Sequence, residues 1–331
     1  MIRFLRKYHK WFSLVATVFI LFFAVSGIIL NHRKELSGVD VGRTRMPSVY
    51  EYRQWNLASV RGAIQTGSDS ILIYGNVGVW LTNSQYRNFT DWNQGFPEGI
   101  DNRKISSIAL TADRQLFAGT FFGLFRRAQG EWIKIQLPVP DPRIVKVLAI
   151  GDSLWVMSRS QLFLSDGRSG YSQFREVRVP KGENDDGKVG LFRTLWVIHS
   201  GEIYGMTGKL IVDAVGIVFI VLCITGLLYF FLPKYLRRTN RIESKPRIKR
   251  WITGTLRWHN ILGSWAVVIL LLNTATGMFL RPPLLIPIAS ERVGKIPYTE
   301  LDDPNLWFDR FRDLIWDSTL NRFLVATSEG I

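Results

Sequence analysis

Residues 11–30 read WFSLVATVFILFFAVSGIIL, twenty positions without a charge. A helix crossing a bilayer needs about 20 mainly apolar residues, so this stretch is long enough to span one. Two further stretches behave alike: residues 214–232 run for nineteen positions and residues 260–280 for twenty-one, each uncharged. The first stretch could be taken for a secretory signal. Its apolar run exceeds the roughly 7–15 residues of a signal core, and no small-x-small cleavage site follows. It is therefore expected to be a retained anchor. Three spans predict a multi-pass membrane protein, where a length of 331 residues alone would suggest two soluble domains.

The chain carries 42 Lys+Arg against 27 Asp+Glu, a net charge of +15. Such basicity points to nucleic acid or to a membrane surface, and its distribution decides between them. Residues 1–10 and 234–258 together hold 13 Lys and Arg opposed only by Glu243, which is twelve of the fifteen net charges. The other 29 basic and 26 acidic residues nearly cancel. The Lys/Arg bias places both segments in the cytoplasm, so the charge orients a membrane protein and nucleic-acid binding drops out. The predicted order is a cytoplasmic N-terminus and first helix (1–32), a periplasmic β-repeat domain (33–190), and a lead-in with the second helix (191–233). A basic cytoplasmic loop (234–258), the third helix (259–284) and a periplasmic segment (285–331) follow. The single cysteine, Cys223, excludes a disulfide framework, a Cys-based zinc site and covalent c-type haem attachment.

Residues 57–180 alternate short β-rich runs with Gly, Asn, Asp and Ser turns. Residues 71–80 (ILIYGNVGVW) resemble residues 116–125 (LFAGTFFGLF), with a weaker copy at 154–163 (LWVMSRSQLF). A period of about 40 residues is that of a four-stranded propeller blade, and each copy predicts strand, tight turn, strand. The copies resemble the blades of periplasmic sensor propellers; a generic β-sandwich is the plainer alternative. The pattern restarts after the third span, where residues 323–331 (FLVATSEGI) match 117–124 and stop at the turn. Three and a half blades fall short of the roughly 4–8 of a closed propeller. The expected fold is thus three transmembrane helices with a propeller-like all-β domain, either truncated at the C-terminus or completed from elsewhere.

Four histidines occur, all at predicted membrane edges. His9 and His259 precede the first and third spans on the cytoplasmic side. His32 closes the first span and His199 precedes the second, both outside. Neutral imidazole is an axial iron ligand, and two such pairs at opposite faces are what two bis-histidine haems need. Taken singly, each ring reads better as an interfacial residue beside Tyr8, Trp11, Trp196 or Trp258. Four of them, paired by side, favour ligation. His9 is followed seventeen residues later by Ser26-Gly27, and His259 likewise by Thr276-Gly277, while the second span carries Thr225-Gly226. Small residues there permit close helix approach or the approach of a flat porphyrin. Arg6, Lys7, Arg33 and Arg257 are candidates for haem propionates, and equally for topology determinants.

Three motifs carry a family resemblance: His9-Lys10-Trp11 before a span with Ser-Gly, residues 199–213 (HSGEIYGMTGKLIVD) before a span with Thr-Gly, and residues 258–265 (WHNILGSW) leading to Thr276-Gly277-Met278-Phe279-Leu280-Arg281-Pro282-Pro283. Together they resemble the PepSY-associated transmembrane family, over roughly residues 1–34 and 190–285. That family includes iron-regulated inner-membrane proteins and di-haem reductases that release iron from siderophores. The resemblance implies His9, His199 and His259 as haem ligands, with His32 as the fourth by elimination and topology. This chain departs from the family in its β-repeats, where a PepSY domain is common, and in lacking a fourth span before Ile331.

The resulting expectation is a b-type cytochrome of the inner membrane with two haems b. His9 and His259 hold the cytoplasmic-side haem, fed by an internal electron donor; His32 and His199 hold the periplasmic-side haem, which reduces a ferric siderophore or other ferric chelate. His9 and His32 are 23 residues apart, about 34 Å along a straight helix. A haem-free membrane sensor or scaffold, whose β-repeats bind a ligand or partner, is the alternative from another class. A regulator of periplasmic proteolysis is suggested by the family name alone, and no zinc-protease, nucleophile-elbow or phosphate-loop motif is present. Asp213, beside the second span, is expected to pair with Lys209; Asn273 is the notable polar residue within the third.

Overall fold

The computed structural model describes residues 2–39, 42, 45, 47–48, 60–181, 186–238 and 245–331, the side chains of 2, 3 and 5–7 excepted. The chain divides into two compact units, residues 1–33 with 184–303 and residues 34–183 with 304–331.

The second unit is built of antiparallel sheet. Gly62–Gly67, Ser70–Gly75, Gly78–Thr82 and Phe89–Asp91 form one four-stranded meander. Ile105–Leu110, Leu116–Thr120, Gly123–Ala128 and Glu131–Ile135 form the next, and Ile144–Ile150, Ser153–Ser158, Leu162–Asp166 and Arg175–Val177 the third. Phe311–Asp317 and Arg322–Thr327 add a two-stranded hairpin. No closed barrel or propeller is formed among the described residues. Successive sheets bury apolar side chains against one another. Leu72 and Val79 of the first meet Ile105, Phe125 and Trp132; Phe117 and Leu124 meet Ile144, Leu154 and Phe163; Met157 and Leu162 meet Phe311 and Leu314 of the hairpin. Residues 285–331, expected as one segment, divide at Asp303: only 304–331 belong with the sheets.

Recurrent turn chemistry makes the repeat. Gly78, Gly123 and Gly330 have φ of 90°, 125° and 124°, a region that admits glycine readily and other residues at a cost. Thr120 Oγ1 accepts from Phe122 N at 3.1 Å and donates to the Gly123 carbonyl at 2.9 Å. Thr327 repeats this with Glu329 N and the Gly330 carbonyl, at 3.1 and 2.8 Å. In the weaker copy Gln161 replaces the glycine. Ser158 Oγ there accepts from Ser160 N at 3.1 Å and Gln161 N at 2.8 Å, and Ser158 N donates to the Gln161 carbonyl at 2.9 Å, so hydroxyl and backbone close the turn together.

One buried polar contact secures the first sheet. Asn93, 6% exposed, accepts the Val79 amide proton on Oδ1 at 2.9 Å. Asn93→Ala leaves that buried N–H without a partner and is expected to cost about 1–3 kcal/mol. Denaturant unfolding checks it, and an unchanged midpoint would contradict the assignment.

The first unit is helical: α1 (Ile2–Asn31), α2 (Leu191–Ser200), α3 (Gly205–Arg238) and α4 (Lys245–Met278). Three of these, α1, α3 and α4, contain runs long and apolar enough to cross a membrane, and the chain is a multi-pass membrane protein. Val189–Gly190 and Arg292–Val293 form a short antiparallel ladder beside α2.

The segment expected as a basic loop, 234–258, is largely helical. The reason is that Lys and Arg are good helix formers, and Pro246 lies in the first turn of α4, where its missing N–H costs nothing. Residues 239–244, with Arg241 and Glu243, lie outside the described residues. The third helix starts fourteen residues earlier than predicted and ends at Met278, ahead of Arg281-Pro282-Pro283. At 34 residues, α3 and α4 are each about 51 Å long, beyond the roughly 30 Å of a hydrocarbon core. Phe12, Phe19, Phe22 and Phe23 of α1 are exposed, as lipid-facing side chains are.

Candidate functional site

The helical unit brings two of the four histidines together. His9 of α1 and His259 of α4 have ring centroids 6.3 Å apart with planes inclined at 58°. Behind His259, its Nδ1 lies 3.0 Å from Thr225 Oγ1 of α3. The Thr225 hydroxyl donates its own proton to the Val221 carbonyl at 2.7 Å. The hydroxyl therefore accepts from the ring, Nδ1 carries the hydrogen, and Nε2 keeps its lone pair. His9 Nδ1 is 3.3 Å from Ser13 Oγ, one helical turn along. An imidazole nitrogen lies about 2 Å from a bound transition metal, and its ring centroid roughly 1 Å further. Two rings on opposite sides of one iron should thus stand about 6 Å apart, which the observed spacing matches. This pair fits a bis-histidine haem.

His199 of α2 is prepared in the same way at the other end of α4. Its Nδ1 is 3.0 Å from the Asn273 carbonyl oxygen and 3.3 Å from Thr276 Oγ1. A carbonyl only accepts, so Nδ1 again carries the hydrogen and Nε2 the lone pair. Burial pushes the His199 pKa down, which favours that neutral form. Asn273 Nδ2 donates back to the His199 carbonyl at 3.2 Å, so this intramembrane polar residue clamps α2. Donation of the far N–H to a carbonyl or hydroxyl is what orients metal-bound histidines.

Both Thr-Gly pairs are seats for a histidine ring. Thr225-Gly226 receives His259 and Thr276-Gly277 receives His199; a Cβ on Gly277 would stand 2.8 Å from His199 Cε1. Gly277→Ala should displace that ring at a cost of about 1–3 kcal/mol. Thermal unfolding in detergent reads it, and an unshifted transition would show that the ring does not need the gap. Ser26-Gly27 behaves differently. Ser26 Oγ donates to the Phe23 carbonyl of its own helix at 3.2 Å, and nothing stands within 4 Å of a Cβ on Gly27.

His32 is held elsewhere. Its Nε2 lies 2.7 Å from Asp213 Oδ2, and Asn31 Nδ2 donates to Asp213 Oδ1 at 2.9 Å. The expected pairing of Asp213 with Lys209 gives way to these α1 contacts, because Asp213 is turned inward and only 7% exposed. Lys209 pairs with Glu202 at 3.0 Å. No ring contact joins His32 to His199 among the described residues, and no group of three or more His, Cys, Asp or Glu is arranged to hold a metal there. Of the propionate candidates, Arg257 is exposed and Arg33 partnered, while the Arg6 and Lys7 side chains lie outside the described set. Beside the start of α3, Tyr204, Thr207, Thr299 and Glu300 line an open cavity of about 570 Å³. Burial, and then the Glu202 carboxylate, raises the Glu300 pKa.

The sequence profile described as PepSY-associated TM region matches residues 6–297. No curated protein matches the chain. Among solved structures, the extracellular domain of the one-component system BT4673 from B. thetaiotaomicron is 22% identical with a TM-score of 0.31, over 37% of this chain and 17% of that one. Virginiamycin B lyase from Staphylococcus aureus is 14% identical with a TM-score of 0.31, over 38% of this chain and 42% of the lyase. PorZ, a type-IX secretion component of Porphyromonas gingivalis, is 11% identical with a TM-score of 0.28, over 36% and 16%. The chain thus spans less than half the length of each.

Proposed function

Since the chain belongs to the PepSY-associated transmembrane family, we propose that it is a b-type haem protein of the bacterial inner membrane. It moves electrons from a cytoplasmic-side donor to a ferric chelate, such as a ferric siderophore, at the periplasmic face. The observation that carries this reading is the His9–His259 pair, whose rings stand 6.3 Å apart between centroids with Thr225 behind His259 Nδ1; these two residues would hold the haem. Bound haem supplies one-electron chemistry between ferric and ferrous iron. The chain's own residues do the positioning. Thr225 and Ser13 orient the two rings from behind, and Asn273 and Thr276 orient His199.

Along α4, His259 and Thr276 are seventeen residues apart, so the His259 ring and the His199 seat stand about 26 Å apart along the helix. That is shorter than the His9 to His32 span along α1. In a second, outer haem site His199 is the prepared ligand; His32 has only Nδ1 to offer, because Asp213 holds its Nε2. The positive-inside bias supports a cytoplasmic N-terminus, with the sheet unit in the periplasm. There the three meanders and the hairpin read as propeller blades, a surface suited to receiving the acceptor or a partner.

Stopped-flow mixing of dithionite-reduced protein with ferric chelates tests the acceptor. Haem reoxidation is expected. A haem that stays reduced would dismiss the ferric acceptor, and a folded protein that never carries haem would favour a membrane-anchored receptor.

A further inference from the structure

A second cavity, of about 470 Å³, opens between α3 and α4. Its walls are Val221, Thr225 and Leu228 from α3 and Gly254, Trp258 and Leu262 from α4, with Arg250 at one end. The lining is almost wholly apolar, and Arg250, an exposed residue, stands at one end of it. Trp258 is 59% exposed, so the cleft opens to the surroundings of the helices and is not sealed by a third one. From Arg250 to Leu262 is twelve residues, about 18 Å of helix, and one leaflet of a roughly 30 Å hydrocarbon core is about 15 Å deep. The cleft therefore has one leaflet's depth, an apolar floor and, at the end where a headgroup would lie, an exposed arginine whose long side chain reaches that level.

We propose that this cleft binds an anionic phospholipid, its acyl chain lying along Val221, Leu228 and Leu262 and its phosphate on Arg250. Charge complementarity selects the occupant. Arg250 lies in the basic stretch that holds most of the chain's excess positive charge, and among the described residues no carboxylate pairs with it. Basic pockets between membrane helices on the cytoplasmic side are recognised sites for anionic headgroups. A phosphate accepts hydrogen bonds from a guanidinium in a fork geometry. In phosphatidylethanolamine the lipid's own ammonium offsets that negative charge, in phosphatidylglycerol nothing does, and a neutral isoprenoid ring would leave the guanidinium without a counter-ion. Gly254 gives the acyl chain its width, since nothing stands within 4 Å of a Cβ placed there. The wall also includes Thr225, whose hydroxyl receives the His259 Nδ1 hydrogen, so an occupant presses on the partner of that ring. The inference holds whether or not haem is bound.

Native mass spectrometry of the full chain, released from nanodiscs of equal phosphatidylglycerol and phosphatidylethanolamine, tests it. The wild-type protein should retain phosphatidylglycerol over phosphatidylethanolamine by about fivefold, the weight of one basic residue near an anionic surface. Arg250→Gln should bring the ratio near one, while Lys249→Gln, on the same turn but outside the cleft, should lower it far less. Gly254→Leu, which fills the cleft and spares Arg250, should cut retention of both lipids several-fold. A preference that survives Arg250→Gln would overturn the proposal. So would a quinone recovered by solvent extraction of the wild-type protein and lost in Gly254→Leu. Should Gly254→Leu fail to fold, the Arg250→Gln and Lys249→Gln pair decides alone.

Discussion

Replacing His259 by alanine should reduce haem retention by more than about tenfold, the scale set by what loss of a mere supporting partner costs a metal site. The reason is the geometry at that ring. His259 stands 6.3 Å from His9 between centroids, and its Nδ1 is committed to Thr225, so Nε2 is the atom it would offer to a haem under the proposed function. On the proposed function, alanine would remove one of the residues that hold the haem together with the hydrogen-bonded arm that aims it. Thr225→Val is the informative companion. It keeps the volume of the side chain, removes the hydroxyl oxygen that fixes the tautomer, and should weaken haem affinity by about 10–100-fold while leaving the pigment detectable. Absorbance titration of apoprotein with haem reads both. A His259→Ala protein that binds haem as tightly as the wild type would remove His259 from the site. Equal affinity in Thr225→Val would leave the ligand in place and deny the hydroxyl its role.

Asp213→Ala should lower the stability of the helical unit by about 1–3 kcal/mol. Removing one member of a buried ion pair or charged hydrogen-bond network costs about 3–5 kcal/mol when both partners are sequestered. Here the His32 side chain is 31% exposed, and solvent makes good part of that loss. Asp213 ties α1 to α3 through two acceptor oxygens, one for His32 and one for Asn31. Asp213→Asn keeps one acceptor and the shape and should cost about half as much. Thermal unfolding in detergent, followed by tryptophan fluorescence, separates the two. An Asp213→Ala protein that melts with the wild type would mean that the carboxylate is solvated and not a tether.

The three spans were legible because twenty uncharged residues in a row have few other uses. Their true lengths were not. Counting Lys234, Arg237, Arg238 and Lys245 as loop treats charge as a topology signal, whereas along the backbone the same residues favour helix, and α3 and α4 run on through them. The sheet repeat was legible from its glycine turns. Its weak copy at residues 154–163 looked weak because Gln161 stands where the other copies have glycine, while Ser158 supplies the turn hydroxyl that Thr120 and Thr327 supply elsewhere. Of the candidate ligands, positions could be read and partners could not. His199 is secured by Asn273, 74 residues away, and His32 by Asp213, 181 away. Local spacing proposed Lys209 for Asp213, and a tertiary contact overrode it. The clearest missed signal is the pair of Thr-Gly steps. Each follows a histidine-bearing motif in the chain, and each turned out to be the seat of a ring from another helix.

The reduced-minus-oxidised absorbance spectrum of the purified full chain tests the central claim most directly. The account predicts b-type bands from haem held by six-coordinate, bis-histidine ligation, lost together when His9 and His259 are both replaced by alanine if only the inner site is filled, and halved if His199 holds a second haem. A correctly folded wild-type protein with no haem band, or bands unaltered in the His9→Ala/His259→Ala double variant, would contradict it.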